Sequence, residues 1–186
     1  MDKQTEILAA ALQLFVELGF HGTPTSLIAK EAGVANGTLF HYYKTKDDLI
    51  VALYLEIKKK MLACSALEFG AEETLKAKFK YVYVNTMQWG LENKNEFKYV
   101  QQFINSPFMS LIPIEVRQQM IKSLVDLIDQ GIKMDIIKPL PIDFISTLIS
   151  SQLFGVNQYL INADFDPVKQ KGVINDSFEL IWKMII

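Results

Sequence analysis

The stretch from Thr23 to Lys46, TPTSLIAKEAGVANGTLFHYYKTK, limits the folds open to this chain more than any other segment. It reads as two short helices around a tight turn. Thr23 is placed to cap the first, with Pro24 at the first helical position, where its missing N–H leaves no bond unmade. Ile28, Ala29 and Ala32 give that helix one apolar face, and the small Ala29 allows a second helix to come close. Gly33, four residues on, supplies the left-handed backbone that a turn needs, and Val34 closes the little core. A second helix is expected over 36–43, with Leu39 and Tyr43 facing inward at i, i+4 spacing. Its outward face then carries Asn36, Gly37, Thr38, Phe40, His41 and Tyr42. Short polar groups, a bare glycine backbone and aromatic rings suit phosphates, base edges and thymine methyls. Such a pair is a helix-turn-helix, whose second helix enters the major groove of DNA.

The flanking segments extend the pattern. Residues 3–18 place Ile7, Leu8, Ala11, Leu14, Phe15 and Leu18 on one helical face, with Gly19 as a C-cap and Phe20 folding back onto that face. His21 reads as a solvated loop histidine. A fourth helix begins at Lys46, capped by Thr45, with Asp47 and Asp48 in the first turn where the helix dipole favours acids. Leu49, Ile50, Leu53, Ile57, Met61 and Leu62 continue its apolar stripe towards Phe69-Gly70. The run Lys58-Lys59-Lys60 is expected on its solvated face, and Cys64 as a small buried apolar residue.

The run AKEAGVANGTLFHYYKTKDDL resembles the N-terminal signature of the tetracycline-repressor (TetR) family, a likeness that covers roughly residues 5–50. The resemblance implies a DNA-binding domain over 1–46, followed over 47–186 by a helical domain that dimerises and binds a small effector. It also implies roles residue by residue. Thr25 and Tyr42 match phosphate-contacting positions, and Ser26, Asn36, Gly37, Thr38 and His41 match positions near the bases. Lys46 matches a lysine that holds the DNA backbone. Two positions depart from the pattern. Phe40 stands where a tyrosine is frequent, and Ala35 where serine or threonine often caps the recognition helix, a change worth about 1 kcal/mol.

Charge is an imperfect match to nucleic acid. The net charge is −2, and the first fifty residues hold Lys3, Lys30, Lys44 and Lys46 against Asp2, Glu6, Glu17, Glu31, Asp47 and Asp48. A basic footprint is the usual sign of DNA binding. Lys44 and Lys46 flank the recognition helix, and helix N-termini offer N–H groups to phosphates without net charge. Weak non-specific binding is therefore expected, with specificity resting on a few contacts. No apolar run of 18 residues lacks charge, which argues against a membrane span, and the opening MDKQTE is unlike a secretory signal. A single cysteine excludes an internal disulfide and fits a reducing cytoplasm. No phosphate loop, HExxH, CxxC or GxSxG is present, and Asp135, Asp143, Asp164 and Asp166 are explained by helix ends. Neither catalysis, metal nor cofactor is expected.

Five further helices are expected near 72–90, 95–106, 113–134, 142–162 and 167–185, giving an all-α chain of about nine helices. In the third of these, Val116, Met120, Leu124, Leu127, Ile128 and Ile132 share one side. The last two carry more apolar surface than one neighbour covers. Leu148, Ser151, Gly155 and Tyr159 of one, with Phe178 and Trp182 of the other, are candidates for a two-fold subunit seam that matches a palindromic operator. An aromatic and methionine-rich set suggests a cavity for a small, mostly apolar effector without strong charge: Phe79, Tyr83, Met87, Phe103, Met120 and Phe154. Tyr83, Asn85, Gln88, Gln102 and Asn105 are candidate polar anchors there. The reading is a dimeric repressor of transcription that binds double-stranded DNA and is released by a small molecule. The alternative is a helical ligand-binding or scaffolding protein that does not use its motif.

Overall fold

The computed structural model describes residues 2–64, 73–163 and 165–186. Among these the chain forms nine α-helices and no strand: α1 (Lys3–Gly22), α2 (Thr25–Glu31), α3 (Asn36–Tyr42), α4 (Lys46–Ala63), α5 (Leu75–Glu92), α6 (Lys94–Ile104), α7 (Ile114–Lys133), α8 (Ile142–Asn162) and α9 (Pro167–Ile185). A 3₁₀ turn, Pro107–Leu111, follows α6. The all-α expectation holds, element by element. The expected end of the fourth helix at Phe69-Gly70, and Asp164, lie outside the described residues.

Local chemistry sets the element ends. Gly19 adopts φ +75 inside α1 and bends its last turn. Phe20 thereby returns to Phe15, with ring centroids 5.5 Å apart. Thr23 does not cap α2. It is fully buried, and its hydroxyl donates to the carbonyls of Gly19 (2.8 Å) and Leu14 (3.2 Å), closing the end of α1 instead. Pro24 occupies the N-cap position of α2, and no side chain caps that helix. Thr45 does cap α4: its hydroxyl accepts from Asp48 N–H at 3.0 Å while the Asp48 carboxylate accepts from Thr45 N–H at 2.9 Å. This reciprocal pair satisfies two otherwise unbonded donors. Asp166 caps α9 in the same spirit, accepting from the N–H groups of Val168 and Lys169, with Pro167 first in the helix.

The chain divides into two compact units. The first comprises residues 1–60 and 93–113, so α6 and the 3₁₀ turn join α1 to α3 and most of α4. Its core is aromatic. Tyr99 is fully buried between Phe15 (6.2 Å) and Phe20 (5.6 Å), and its hydroxyl donates to the Ile50 carbonyl at 2.8 Å. Phe108 meets Phe20 edge-on at 5.2 Å, and Tyr54 stacks on Phe103 at 3.9 Å. Burial pushes the Tyr54 phenol up to about 12 and raises Tyr99 further, so both stay neutral.

The second unit comprises residues 61–92 and 114–186. Here α5, α8 and α9 enclose a core of Leu75, Phe79, Tyr83 and Met87 from α5, Ile145, Ile149, Leu153 and Leu160 from α8, and Ile174, Phe178, Ile181, Trp182 and Ile185 from α9. The predicted stripe of α7 is mostly half-buried, with Ile128 enclosed and Val116 exposed. Lys76 reaches Glu179 at 2.6 Å, bonding α5 to α9 and holding that carboxyl below its ordinary range. Lys138 closes the end of α9, its N–H donating to the Ile185 carbonyl at 2.8 Å and its ammonium to that of Met184 at 2.8 Å.

The tightest approach is at Gly131 in α7. A Cβ there would lie 2.4 Å from Cδ1 and 2.7 Å from Cγ1 of Ile137, and 2.9 Å from Cδ2 of Leu75. Gly131→Ala is expected to lower stability by about 1–3 kcal/mol despite alanine's better helix propensity, because two core side chains must leave their rotamers. Urea denaturation of the variant checks this. An unchanged midpoint would show that Ile137 gives way freely.

Candidate nucleic-acid interface

The motif forms as the spacing predicts. Ile28 and Ala29 on α2 and Leu39 on α3 are buried, and Tyr43 is 6% exposed just beyond α3. Gly33 takes φ +64, and Val34 N–H bonds to the Ala29 carbonyl at 2.9 Å to close the turn. The Tyr43 hydroxyl accepts from the Gln4 amide at 3.2 Å, tying the end of α3 to the start of α1. Two buried anchors on one side therefore fix the rotation of a seven-residue helix.

The opposite side of α3 is open. Asn36, Gly37, Phe40, His41 and Tyr42 are exposed and Thr38 is half-buried. His41 and Tyr42 meet edge-on at 5.6 Å. A Cβ on Gly37 would meet nothing within 4 Å, so its backbone faces open space. Thr25 and Lys46 are half-buried, Ser26 is exposed, and each begins or nearly begins its helix. Thr25 and Ser26 begin α2 and Lys46 begins α4, all three in the same compact unit as α3. Ala35 precedes α3 without a side-chain cap, and Asn36 begins the helix rather than capping it. The first N–H groups of α3 are left for other acceptors. His21 is exposed at the end of α1, its ring 6.4 Å from that of Phe108.

The remaining candidate residues divide between the two units. Phe79, Tyr83 and Met87 share the buried face of α5, and Met120 and Phe154 are half-buried on α7 and α8 of the same unit. Phe103 belongs to the first unit, against Tyr54. Of the candidate anchors, Tyr83 is a core hub, with its hydroxyl 2.9 Å from both Gln152 Oε1 and Ser177 Oγ. Burial raises its pKa against the opposing pull of those two bonds. The Asn85 and Asn105 amides bond to carbonyls of their own helices, and Gln88 is exposed. Gln102 Oε1 is enclosed without a hydrogen-bond partner. Of the candidate seam, Ser151, Gly155 and Tyr159 are exposed and Leu148 is half-buried. Phe178 and Trp182 are instead buried in the chain's own core, 2% and 6% exposed, with Trp182 5.6 Å from Phe79 and Phe178 5.7 Å from Tyr83.

Three residues depart from their expected surroundings. Lys58 is only 9% exposed, whereas Lys59 and Lys60 are solvated. It continues the stripe of Ile50 and Tyr54 at i+4, a spacing that the charge of the side chain conceals in sequence. Asn157, not among the candidate anchors, is fully buried with Oδ1 unpaired. Cys64 is half-buried rather than enclosed, its thiol 2.8 Å from the Met61 carbonyl.

Comparison with known proteins accounts for both parts of the chain. Residues 7–53 match the profile described as bacterial regulatory proteins, tetR family, and residues 74–185 match that of a tetracyclin repressor-like C-terminal domain. The fatty acid metabolism regulator protein of Bacillus subtilis is 34% identical over 89 residues, 48% of this chain and 45% of its own length. The matched stretch thus spans less than half of that curated relative. A crystal structure of a tetR family transcription regulator from Shewanella sp. PV-4 superposes with TM-score 0.88 at 29% identity, covering 100% of this chain and 98% of that one. FadR from Bacillus subtilis, in complex with stearoyl-CoA, superposes with TM-score 0.70 over 98% of this chain and 99% of its own, a likeness of fold at 22% identity. With the C-terminal profile alone covering more than half of its residues, the chain belongs to the tetR family of bacterial regulatory proteins.

Proposed function

We propose that this chain is a dimeric transcriptional regulator, a repressor that leaves a palindromic operator when a small, mostly apolar effector binds. The observation that carries the DNA reading is α3 itself. Its inward face is fixed by Leu39 and Tyr43, while Asn36, Gly37, His41 and Tyr42 are exposed and Thr38 is half-buried beside them. A scaffolding protein would have no use for a rigid helix with a bare glycine at its exposed start. Thr38 and His41 are assigned to base edges, Thr25 and Tyr42 to phosphates, and Lys46 to the DNA backbone.

Dimerisation is assigned to an exposed face of α8, where Phe144 (50% exposed), Leu148, Ser151, Gly155 and Tyr159 (56%) recur at helical spacing. Leu180 (68%) and Met184 (43%) extend the apolar surface on α9. Small residues at Ser151 and Gly155 allow a second helix close approach, and a two-fold pair presents two recognition helices to adjacent major grooves. The effector is assigned to the helical domain, whose aromatic and methionine side chains favour an apolar molecule. A relative named for fatty acid metabolism and a fold neighbour holding stearoyl-CoA support a lipid-like compound.

A mobility shift with duplex DNA from the region flanking its own gene tests the first assignment. Lys46→Ala is expected to weaken binding to all sequences alike and to reduce the salt slope by about one phosphate's worth. Thr38→Ala or His41→Ala should instead change preference at individual bases. If Lys46→Ala leaves both affinity and salt dependence intact, the start of α4 does not hold the backbone.

A further inference from the structure

Two enclosed polar atoms of the second unit have no hydrogen-bond partner among the described residues: Nε of Arg117 on α7 and Oδ1 of Asn157 on α8. One is a donor and the other an acceptor, and buried groups of either kind are ordinarily bonded. Both occupy core-facing positions. On α7, Arg117 continues the face of Met120, Leu124, Ile128 and Gly131. On α8, Asn157 follows Ile145, Ile149 and Leu153 at helical spacing, and all four are buried. Each apolar stripe thus acquires one polar group, and both groups fall at the same end of the unit. The Tyr83 hydroxyl meets Gln152 and the Met87 carbonyl meets the Asn157 amide, so α5 and α8 run in the same direction. Leu75, at the start of α5, packs at Gly131 near the end of α7, so α7 runs against them. Stepping from Leu75 to Met87 along α5 then matches stepping back from Gly131 to Gln119 along α7. Arg117 is about two residues, or roughly 3 Å of rise, from the level of Asn157. Access comes from the side of α7. Gly131 and Ile128 are buried, but Leu124, Met120 and Arg117 are half-buried, so this inward face loses its cover towards the start of the helix.

We propose that Arg117 and Asn157 hold the head group of the effector, an uncharged carboxamide or hydroxyl that accepts from Arg117 Nε and donates to Asn157 Oδ1. One such group satisfies both atoms at once, whereas a carboxylate or an ester satisfies only the arginine. The terminal nitrogens of Arg117 are not among the enclosed atoms, so its charge reaches solvent and needs no buried counter-ion. The Met87 carbonyl, 3.5 Å from Asn157 Nδ2, orients the amide and leaves Oδ1 as the free acceptor. The apolar body of the molecule lies along Met120 and Leu124. This rests on the reading of the chain as an effector-responsive regulator. It gives the head group of that effector a chemistry, and two residues that the candidate polar anchors did not include.

The test titrates the full-length protein with decanamide, methyl decanoate and decanoate, read by tryptophan fluorescence and by release of a labelled duplex from the region flanking its gene. Decanamide is expected to bind about tenfold more tightly than methyl decanoate, which has no donor for Asn157. Asn157→Leu should erase that preference by weakening decanamide alone, whereas Arg117→Met should weaken both. Arg117 is half-buried, so its replacement leaves the core intact and decides the matter should Asn157→Leu fail to fold. If Asn157 only pairs α8 with α5, Asn157→Leu will shift the urea midpoint while the amide-to-ester ratio keeps its wild-type value, which overturns the proposal. Tighter binding of decanoate than of decanamide overturns it too, in favour of an anion held by Arg117 alone, as does failure of all three compounds to bind. Release of DNA by decanamide that neither variant alters removes this site and leaves the effector reading standing. Binding that depends on both residues but never releases DNA keeps the site and removes its regulatory role.

Discussion

Gly155→Glu is expected to yield monomers that fold normally and bind operator DNA at least about a hundredfold more weakly. The argument depends on what surrounds this glycine. A Cβ there meets nothing within 4 Å, so the protomer itself has room for a longer side chain. Any large effect must come from a second chain. On α8 the glycine is flanked along the same face by Ser151 and Tyr159, both exposed. A carboxylate in that position would be buried unpaired between two copies, and the symmetry would place a like charge near its mate. In the proposed dimer, loss of the second copy would remove one of two half-site contacts, each of which contributes much of the affinity. Sedimentation velocity and a mobility shift on the same sample check both consequences. A dimer of unchanged affinity would remove α8 from the seam.

The second large effect lies outside the motif. Tyr99→Ala is expected to destabilise the first unit by about 3–5 kcal/mol, the usual range for deleting a buried ring. Tyr99 is fully buried against Phe15 and Phe20, and its hydroxyl holds the Ile50 carbonyl. Tyr99→Phe keeps the ring and should cost only about 1 kcal/mol, the net worth of one hydrogen bond. DNA binding should follow stability in both variants, although residue 99 is more than fifty positions past the recognition helix. Denaturation followed by the near-ultraviolet signal of the aromatic cluster, with a parallel mobility shift, separates the two. Equal losses for the two variants would mean that the hydroxyl, not the ring, does the holding.

Much of this architecture was legible before any coordinates. The turn at Gly33, the inward Leu39 and Tyr43, the Thr45 cap and the return of Phe20 each follow from one local rule. Such rules act within a few residues, where backbone sterics and helical periodicity decide the outcome. What they cannot report is which neighbour covers a stripe. Phe178 and Trp182 form the clean apolar face that periodicity detects, yet Phe79 and Tyr83 of α5 cover it, not a second subunit. Thr23 is a good cap by residue type, but the kink at Gly19 leaves carbonyls of α1 unbonded and they take its hydroxyl first. Lys58 and Asn157 were hidden for a different reason. A polar side chain on a buried stripe looks, in sequence, like the edge of a solvated face, and only packing reveals otherwise.

The discontinuity of the first unit has a consequence for how the protein is made. Its second segment, residues 93–113, is translated only after α4 and α5. While the chain is being synthesised, the recognition helix is complete long before the seat between Phe15 and Phe20 has received Tyr99. A nascent chain that has just reached the end of α4 therefore carries an uncovered aromatic surface, the condition under which partly folded species associate. The DNA-reading unit is finished last at its own centre, and a ribosome that stalls before residue 99 releases a motif without its keystone.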